Sequence, residues 1–163
     1  MRTARAAAGS VVFLVLAPGI VAGVVPWLLT GWEARGTWLP LRVAGALLVA
    51  AGLGVLLHAF ARFVLEGRGT PAPVAPTEQL VVGGLYRYVR NPMYLAVAAT
   101  IVGQALLLAR PILLAYAAAF AVVVAAFVRL YEEPTLERRF GEAYEAYRRA
   151  VPPWRPRLRP WEP

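Results

Sequence analysis

Four stretches of this sequence carry no charged residue, and they limit the possible folds more than any other feature. They cover residues 6–32, 43–61, 91–109 and 111–128. Crossing the hydrocarbon core of a bilayer takes about 20 apolar helical residues, with a range of roughly 17–25. All four stretches reach this length, the third when its first turn lies in the membrane interface.

The sequence therefore predicts an all-α membrane protein, folded as a single membrane domain over residues 1–163. The composition agrees, since 60% of the residues are hydrophobic and 16% are charged, whereas soluble domains carry about 25% charged residues. The expected elements are about four transmembrane helices and a C-terminal cytoplasmic amphipathic helix, at approximately 8–30, 41–64, 92–109, 111–131 and 134–150.

The distribution of charge predicts the orientation in the membrane. Arginine supplies all 17 basic residues, and with both termini on one side, that side holds all of them except Arg35, Arg42 and Arg110. The positive-inside rule then places both termini in the cytoplasm, and we expect the bacterial inner membrane. The net charge of +8 favours anionic lipid headgroups over nucleic acid as partners, because the arginines bracket apolar runs.

Several kinds of site are excluded by residues that the chain lacks. It contains no cysteine, and His58 is the only histidine. Disulfides, thiolate metal sites and cysteine nucleophiles are therefore excluded, and no metal site is expected. The glycine-rich motifs of soluble nucleotide-binding folds are missing too, so any nucleotide-like ligand must bind in another way.

The segment from Gly83 to Tyr94 is the first candidate for chemistry. It joins the long internal loop to the third predicted helix, with Asn91 as the expected N-cap and Pro92 at the helix start. The N-terminus of a helix presents free N–H groups and a positive dipole, which suit a carboxylate or phosphate, and Arg90 adds charge. The alternative is an ordinary capped helix start with positive-inside arginines.

The second candidate lies at the cytoplasmic end of the fourth predicted helix. Arg129 precedes Glu132 and Glu133 by three and four residues, so the three side chains are expected on one helix face. Two adjacent carboxylates at a membrane boundary are costly unless they are paired or used. They form either a weak surface ion pair or a cation-binding carboxylate beside an anion-binding guanidinium.

Two further features have both a structural and a functional interpretation. His58 lies in the inner half of the second predicted helix, where it either faces the bundle or contacts a ligand. Within 134–150, four apolar or aromatic residues recur at helical spacing. This segment is either an interfacial helix on anionic lipid or a lid over a site at the membrane surface.

These residues resemble a known family. The run LVVGGLYRYVRNPMY, a helical hairpin, and then EEPTLERRFGEAYEAYRRAVP look like the membrane methyltransferases related to isoprenylcysteine carboxyl methyltransferase and the phospholipid methyltransferases. The resemblance implies S-adenosylmethionine as cofactor and a lipophilic acceptor, either a prenylcysteine-type carboxylate or a phospholipid amine. Asn91 stands where the eukaryotic enzymes carry histidine, which weakens transfer of the prenylcysteine substrate.

The resemblance also implies roles for individual residues, whereas it leaves the oligomeric state open. By resemblance, the substrate-orienting arginine maps to Arg129, and cofactor contacts map to Gln79, Leu80, Val81, Tyr86, Asn91, Pro92, Met93, Tyr94 and Glu132. The residues themselves add Arg90 as a contact for the cofactor carboxylate, Arg129, Glu132 and Glu133 as catalytic candidates, and His58 as a candidate substrate contact. Two alternatives stay open, namely an NADPH-dependent enzyme related to the sterol reductases and a catalytically silent membrane scaffold of the same fold.

Overall fold

The computed structural model describes residues 12, 16–36, 38–66 and 78–162, which form helices and no strand. Five helices, α1 to α5, follow one another along the chain. They span Leu16–Thr30, Leu39–Leu65, Pro92–Leu108, Ile112–Phe140 and Glu142–Ala150. A short 3₁₀ turn, Gly84–Arg87, lies between α2 and α3. The expectation of an all-helical protein is therefore confirmed for the described residues.

Two of these helices are long and apolar enough to cross a membrane. They are Leu39–Arg62 within α2, with 24 residues, and α4, with 29 residues. The described part of α1 and the 17 residues of α3 are apolar but shorter, and α3 lies at the lower end of the spanning range. Four crossings stay a prediction, and the expected start of the first helix, before residue 12, lies outside the described residues.

Helices α2 and α3 pack closely because glycines line their contact. A Cβ atom on Gly45 would lie 2.6 Å from the carbonyl oxygen of Gly103, and one on Gly52 would lie 2.5 Å from Oγ1 of Thr100. Small residues let helix backbones approach in a lipid environment, where apolar side chains gain little from burial against one another. This contact fixes the second half of α3 against the first half of α2.

Helix α1 contains a π-turn, Ile20–Val24, that receives polar side chains from α3 and α4. Gln104 Nε2 donates to the Ala22 carbonyl oxygen at 2.7 Å, and the Tyr116 hydroxyl donates to the Val21 carbonyl oxygen at 2.8 Å. A π-turn disturbs the ordinary helical ladder and exposes carbonyl oxygens to other donors. These bonds satisfy polar groups that would otherwise be costly among apolar helices.

The C-terminal part of α4 differs from the prediction of a separate helix at 134–150. Ile112–Phe127, a π-turn at Val128–Glu132 and Glu133–Phe140 form one continuous helix, which ends at Gly141 with φ of 52°. Pro134 does not break this helix. The preceding π-turn already interrupts the regular i→i−4 hydrogen bonds at the position where proline has no N–H to donate. Gly141 makes the turn into α5, since glycine adopts positive φ without steric cost.

The apolar face of α5 packs against protein. Tyr144, Tyr147 and Val151 are buried in a cluster with Leu136 and Phe140, as the helical spacing predicts. The same cluster includes three residues from elsewhere in the chain, Leu80, Val82 and Trp161. This face is therefore covered by the loop before α3 and by the chain end, while contact of the segment with lipid stays a prediction.

Candidate functional site

The loop before α3 is held against the end of α2 by a carboxylate. Glu66 accepts a hydrogen bond from the backbone N–H of Gly83 at 2.9 Å and pairs with Arg62 at 2.6 Å. Gly84 follows with φ of 58°, and a Cβ atom there would lie 2.6 Å from Nε2 of His58. Both glycines are required, the first for close approach to Glu66 and the second for its left-handed backbone.

The C-terminal segment, residues 151–162, runs antiparallel to residues 87–91. The backbone N–H of Arg90 donates to the Pro152 carbonyl at 3.0 Å, and that of Arg157 donates to the Tyr88 carbonyl at 2.9 Å. The Arg87 carbonyl accepts from the Trp161 N–H at 2.9 Å. Backbone bonds between segments so far apart in sequence tie the chain end to the start of α3 and close one side of the site.

Asn91 occupies the expected position before α3, but its side chain does not cap the helix. Its Nδ2 donates to the Pro153 carbonyl oxygen at 3.2 Å, and no side-chain cap bond is formed. Asn91 is therefore the N-cap residue by position, as predicted, while its side-chain oxygen accepts no capping bond from the first turn. Asn91 thus helps to hold the C-terminal segment over the helix start.

Two acidic side chains from α4 meet this helix start. Glu133 pairs with Arg90 at 2.7 Å, and both side chains are largely buried, with 13% and 9% exposed. The hydroxyl of Tyr94 donates to Glu132 at 2.9 Å. We call Arg90, Tyr94, Glu132 and Glu133 the carboxylate site. A buried ion pair of this kind holds its geometry firmly, since separating the charges is costly.

Helix α5 completes the carboxylate site from a third side. The hydroxyl of Tyr144 lies 3.2 Å from Arg90 Nη1, and Arg148 lies 3.6 Å from Glu133. The hydroxyl of Tyr147 donates to the Tyr86 carbonyl oxygen at 2.8 Å. Three elements distant in sequence therefore meet here, namely the start of α3, the end of α4, and α5.

The tyrosines around the site are held neutral. Burial raises the pKa of Tyr147 above its ordinary value, and the nearby Arg90 lowers it by less. Burial likewise raises the pKa of Tyr86, with a smaller effect of Tyr147, and that of Tyr144, with a smaller effect of Glu133. Neutral hydroxyls donate hydrogen bonds without adding charge, so Arg90 and the two glutamates dominate the electrostatics of the site.

Arg129 does not join the two glutamates as expected. It is exposed, and the ion pairs of Glu133 are made with Arg90 and Arg148. The prediction assumed ordinary α-helical spacing, whereas residues 128–132 form a π-turn. In this wider turn Glu132, three residues on, lies farther around the axis from Arg129 than in an α-helix, and Glu133 is engaged by Arg90 and Arg148 instead.

Most of the other predicted site residues lie near the carboxylate site. Val81 and Tyr86 are buried together with Ala59, and Met93 packs against them. Leu80 contacts the α5 cluster, and Pro92 is buried at the start of α3. Gln79 is exposed at the edge of the described residues, and His58 is exposed beside Gly84. Their roles stay predictions.

Sequence reasoning missed several residues of the site. It did not single out Glu66 as the anchor of the glycine loop, and it did not place the C-terminal segment against residues 87–91. The prediction of a helix over 134–150 included Tyr144, Tyr147 and Arg148 and placed them near the membrane surface. It did not say which residues they contact. Among the described residues no group of histidine, cysteine and acidic side chains could hold a metal ion.

The comparisons with known proteins agree with the motifs of the carboxylate site. A family model for phospholipid methyltransferase matches residues 41–143, which is more than half of the chain. The chain belongs to the phospholipid methyltransferase family. No curated protein and no solved structure matches it. This family comprises methyltransferases with lipophilic substrates, and together with the two long apolar helices it marks the chain as a membrane protein.

The family match contains the whole carboxylate site. It covers α2, α3 and α4, and it ends just after Gly141. Tyr144, Tyr147 and the C-terminal segment lie beyond it. The residues that supply the acidic and basic groups thus lie within the matched range, and the chain end that packs beside them lies outside it.

Proposed function

We propose that this protein is an S-adenosylmethionine-dependent methyltransferase that modifies the amine of a phospholipid at the cytoplasmic face of the membrane. The observation that carries the proposal is the carboxylate site, where the Tyr94–Glu132 and Arg90–Glu133 pairs meet at the start of α3. Family membership supports the reaction class. Both termini and this site then lie on the cytoplasmic side, as the arginine distribution predicts.

The charges of the site fit the proposed cofactor. S-adenosylmethionine carries a carboxylate and a sulfonium cation. Arg90 is largely buried, and its Nε has no hydrogen-bond partner among the described residues. A buried N–H of an arginine without an acceptor is costly, and a carboxylate would satisfy it. Glu132 supplies the negative charge that would face a cation.

The residues of the site then divide into two roles. Arg90 and the N-terminus of α3 would hold the carboxylate of the cofactor, and Glu133 would fix Arg90 in place. Glu132, oriented by Tyr94, would lie beside the positive charge. S-adenosylmethionine supplies an activated methyl group when bound. Alignment of the acceptor and exclusion of water are what the protein adds to such a displacement.

An amine acceptor requires one step more than a carboxylate acceptor. The nitrogen attacks only as a free base, so a proton must leave it before or during methyl transfer. Glu132 is the acidic side chain of the site that is not engaged with an arginine, and its carboxylate would accept this proton. Arg129 is exposed in the π-turn of α4 and would contact the phosphate of the acceptor. His58 is a second candidate for that contact.

A binding titration tests the cofactor assignment. Purified protein in detergent is titrated with S-adenosylhomocysteine and, separately, with NADPH. We expect binding of the first ligand only, and Glu132→Gln should weaken it about tenfold, the loss of one charge-assisted contact. Glu137→Gln, on an exposed part of the same helix, serves as the matched control and should bind like the unmodified protein.

The titration also separates the alternatives. Binding of NADPH in place of S-adenosylhomocysteine would identify the reductase-like enzyme, and binding of neither ligand would favour a silent scaffold. Equal affinities of Glu132→Gln and Glu137→Gln would remove Glu132 from the cofactor site.

A further inference from the structure

An apolar groove lies on the surface between α2 and α3, away from the carboxylate site. Its volume is about 540 Å³, within the range of roughly 300–1,000 Å³ that is usual for ligand sites. The groove is open to the outside, and its wall is almost entirely apolar. It is lined by Ala51, Gly52, Val55, Leu85, Tyr88, Val89, Pro92, Leu95, Ala96, Ala99 and Pro156.

The groove and the carboxylate site use different faces of α3. Pro92, Leu95 and Ala99 recur at spacings of three and four residues, so they share one face, and all three line the groove. Tyr94 leaves the helix on another face, where it bonds to Glu132. A molecule in the groove would therefore lie against α2 and α3 without reaching the two glutamates.

Two arginines flank, in sequence, the C-terminal residue of the groove rim. Pro156 is the rim residue contributed by the C-terminal segment, and it stands between Arg155 and Arg157. Arg155 is exposed, and neither arginine forms an ion pair with a described residue. The backbone of Arg157 is fixed by its bond to Tyr88, a groove residue, and its Nη1 is buried without an acceptor among the described residues.

We propose that the groove holds one acyl chain of an anionic phospholipid whose phosphate lies against Arg155 and Arg157. The apolar wall fits an acyl chain, which the bilayer offers directly to the exposed flanks of α2. The unpaired arginines at the rim complement a negative headgroup, and an oxygen of the phosphate would satisfy Arg157 after a small change of its rotamer. In this proposal the lipid is a structural ligand of the protein and does not receive the methyl group.

Such a lipid would stabilise the surroundings of the carboxylate site. It would bridge α2, α3 and the C-terminal segment, and that segment is bonded to residues 87–91 at the start of α3. Ligands that bind only the folded state raise its stability with the logarithm of their concentration relative to Kd. The folded protein should therefore be more stable in membranes that contain anionic lipid. This inference does not depend on methyl transfer.

Native mass spectrometry of the full chain tests the proposal. The protein is released from vesicles of phosphatidylcholine with phosphatidylglycerol, and retained lipids are counted. We expect one retained phosphatidylglycerol, and Ala99→Phe, which fills the groove, should reduce its retention about tenfold. Ala118→Phe, on an exposed apolar part of α4, is the matched control and should retain the lipid.

A second pair of variants tests the headgroup contact. Replacing Arg155 and Arg157 together by glutamine should abolish the preference for phosphatidylglycerol over phosphatidylcholine, whereas Arg159→Gln should keep it. Retention that is equal in Ala99→Phe and Ala118→Phe would overturn the proposal. A second outcome would also overturn it: Ala99→Phe retains as much lipid as before but shows a raised KM for the methyl acceptor. The groove would then hold the substrate. If the unmodified protein did not bind S-adenosylhomocysteine, the proposed function would be wrong. The lipid results would still decide the proposal for the groove.

Discussion

Replacing Glu133 by glutamine tests whether the carboxylate site is held together by its buried ion pair. The Arg90 side chain is 9% exposed, and Glu133 is its carboxylate partner at 2.7 Å. Among the described residues its guanidinium also contacts the hydroxyl of Tyr144 at 3.2 Å, which carries no charge. Glu133→Gln keeps the shape of the side chain and leaves the guanidinium buried without a compensating charge.

The expected loss is large. Removing one partner of a buried ion pair costs about 3–5 kcal/mol, which corresponds to a fall in Tm of about 6–20 °C at roughly 2–4 °C per kcal/mol for chains of this size. Glu137→Gln provides the comparison, since Glu137 is 45% exposed and lies 3.6 Å from Arg148. Exposed pairs of that kind contribute about 0–1 kcal/mol.

Thermal unfolding in detergent micelles, followed by near-ultraviolet circular dichroism, measures both variants. A double variant, Glu133→Gln with Arg90→Met, should lose less than the sum of its single changes, because it leaves no unpaired buried charge. Equal melting temperatures for Glu133→Gln and Glu137→Gln would show that the buried ion pair does not hold the site together. Strict additivity in the double variant would show the same.

Three further predictions concern single contacts. Tyr94→Phe should keep the fold and weaken S-adenosylhomocysteine binding about tenfold in calorimetry, through loss of the bond that orients Glu132; unchanged affinity would contradict this. Because burial raises the pKa of Tyr147 above the ordinary 10.0, the stability from its neutral hydroxyl should be present below pH 10 and be lost as the pH rises further. In Tyr147→Phe, unfolding curves should be less sensitive to pH there, and an unchanged alkaline slope would exclude Tyr147 as the cause. Gly45→Leu should destabilise the α2–α3 contact by about 1–3 kcal/mol through overpacking, whereas Gly54→Leu, which has open space, should be tolerated in the same melt.

The helical architecture could be predicted because its causes are local. Charge-free stretches mark the apolar helices, and the observed α2 and α3, Leu39–Leu65 and Pro92–Leu108, lie within two residues of the predicted bounds. Pro92 marks the start of α3, since proline suits a first helical position. These signals need no knowledge of which helices touch.

The partners of the polar side chains could not be predicted, because they depend on contacts distant in sequence. Asn91 was expected to cap α3, but its side-chain oxygen makes no capping bond, and its Nδ2 donates to the distant carbonyl of Pro153. Arg129 was expected beside two glutamates, but a π-turn changes the spacing that the prediction assumed. In each case a rule for a regular helix was overridden by a tertiary bond or by an irregular turn.

The glycine pair shows how far a sequence pattern reaches. Two adjacent glycines predict close approach or positive φ, and both occur, Gly83 against Glu66 and Gly84 with φ of 58°. The sequence does not show what approaches them, since Glu66 lies at the end of another helix. Motifs thus indicate that a position is special, whereas the fold decides which group it meets.

An assay of methyl transfer itself is the most direct test of the proposed function. Purified protein is reconstituted in vesicles of lipid extract with S-adenosylmethionine labelled in its methyl group, and the labelled products are separated by class. We expect label on an amine-bearing phospholipid, with a rate reduced at least about 100-fold by Glu132→Gln and unchanged by Glu137→Gln. Label on no lipid, or equal rates in the two variants, would contradict the proposed function.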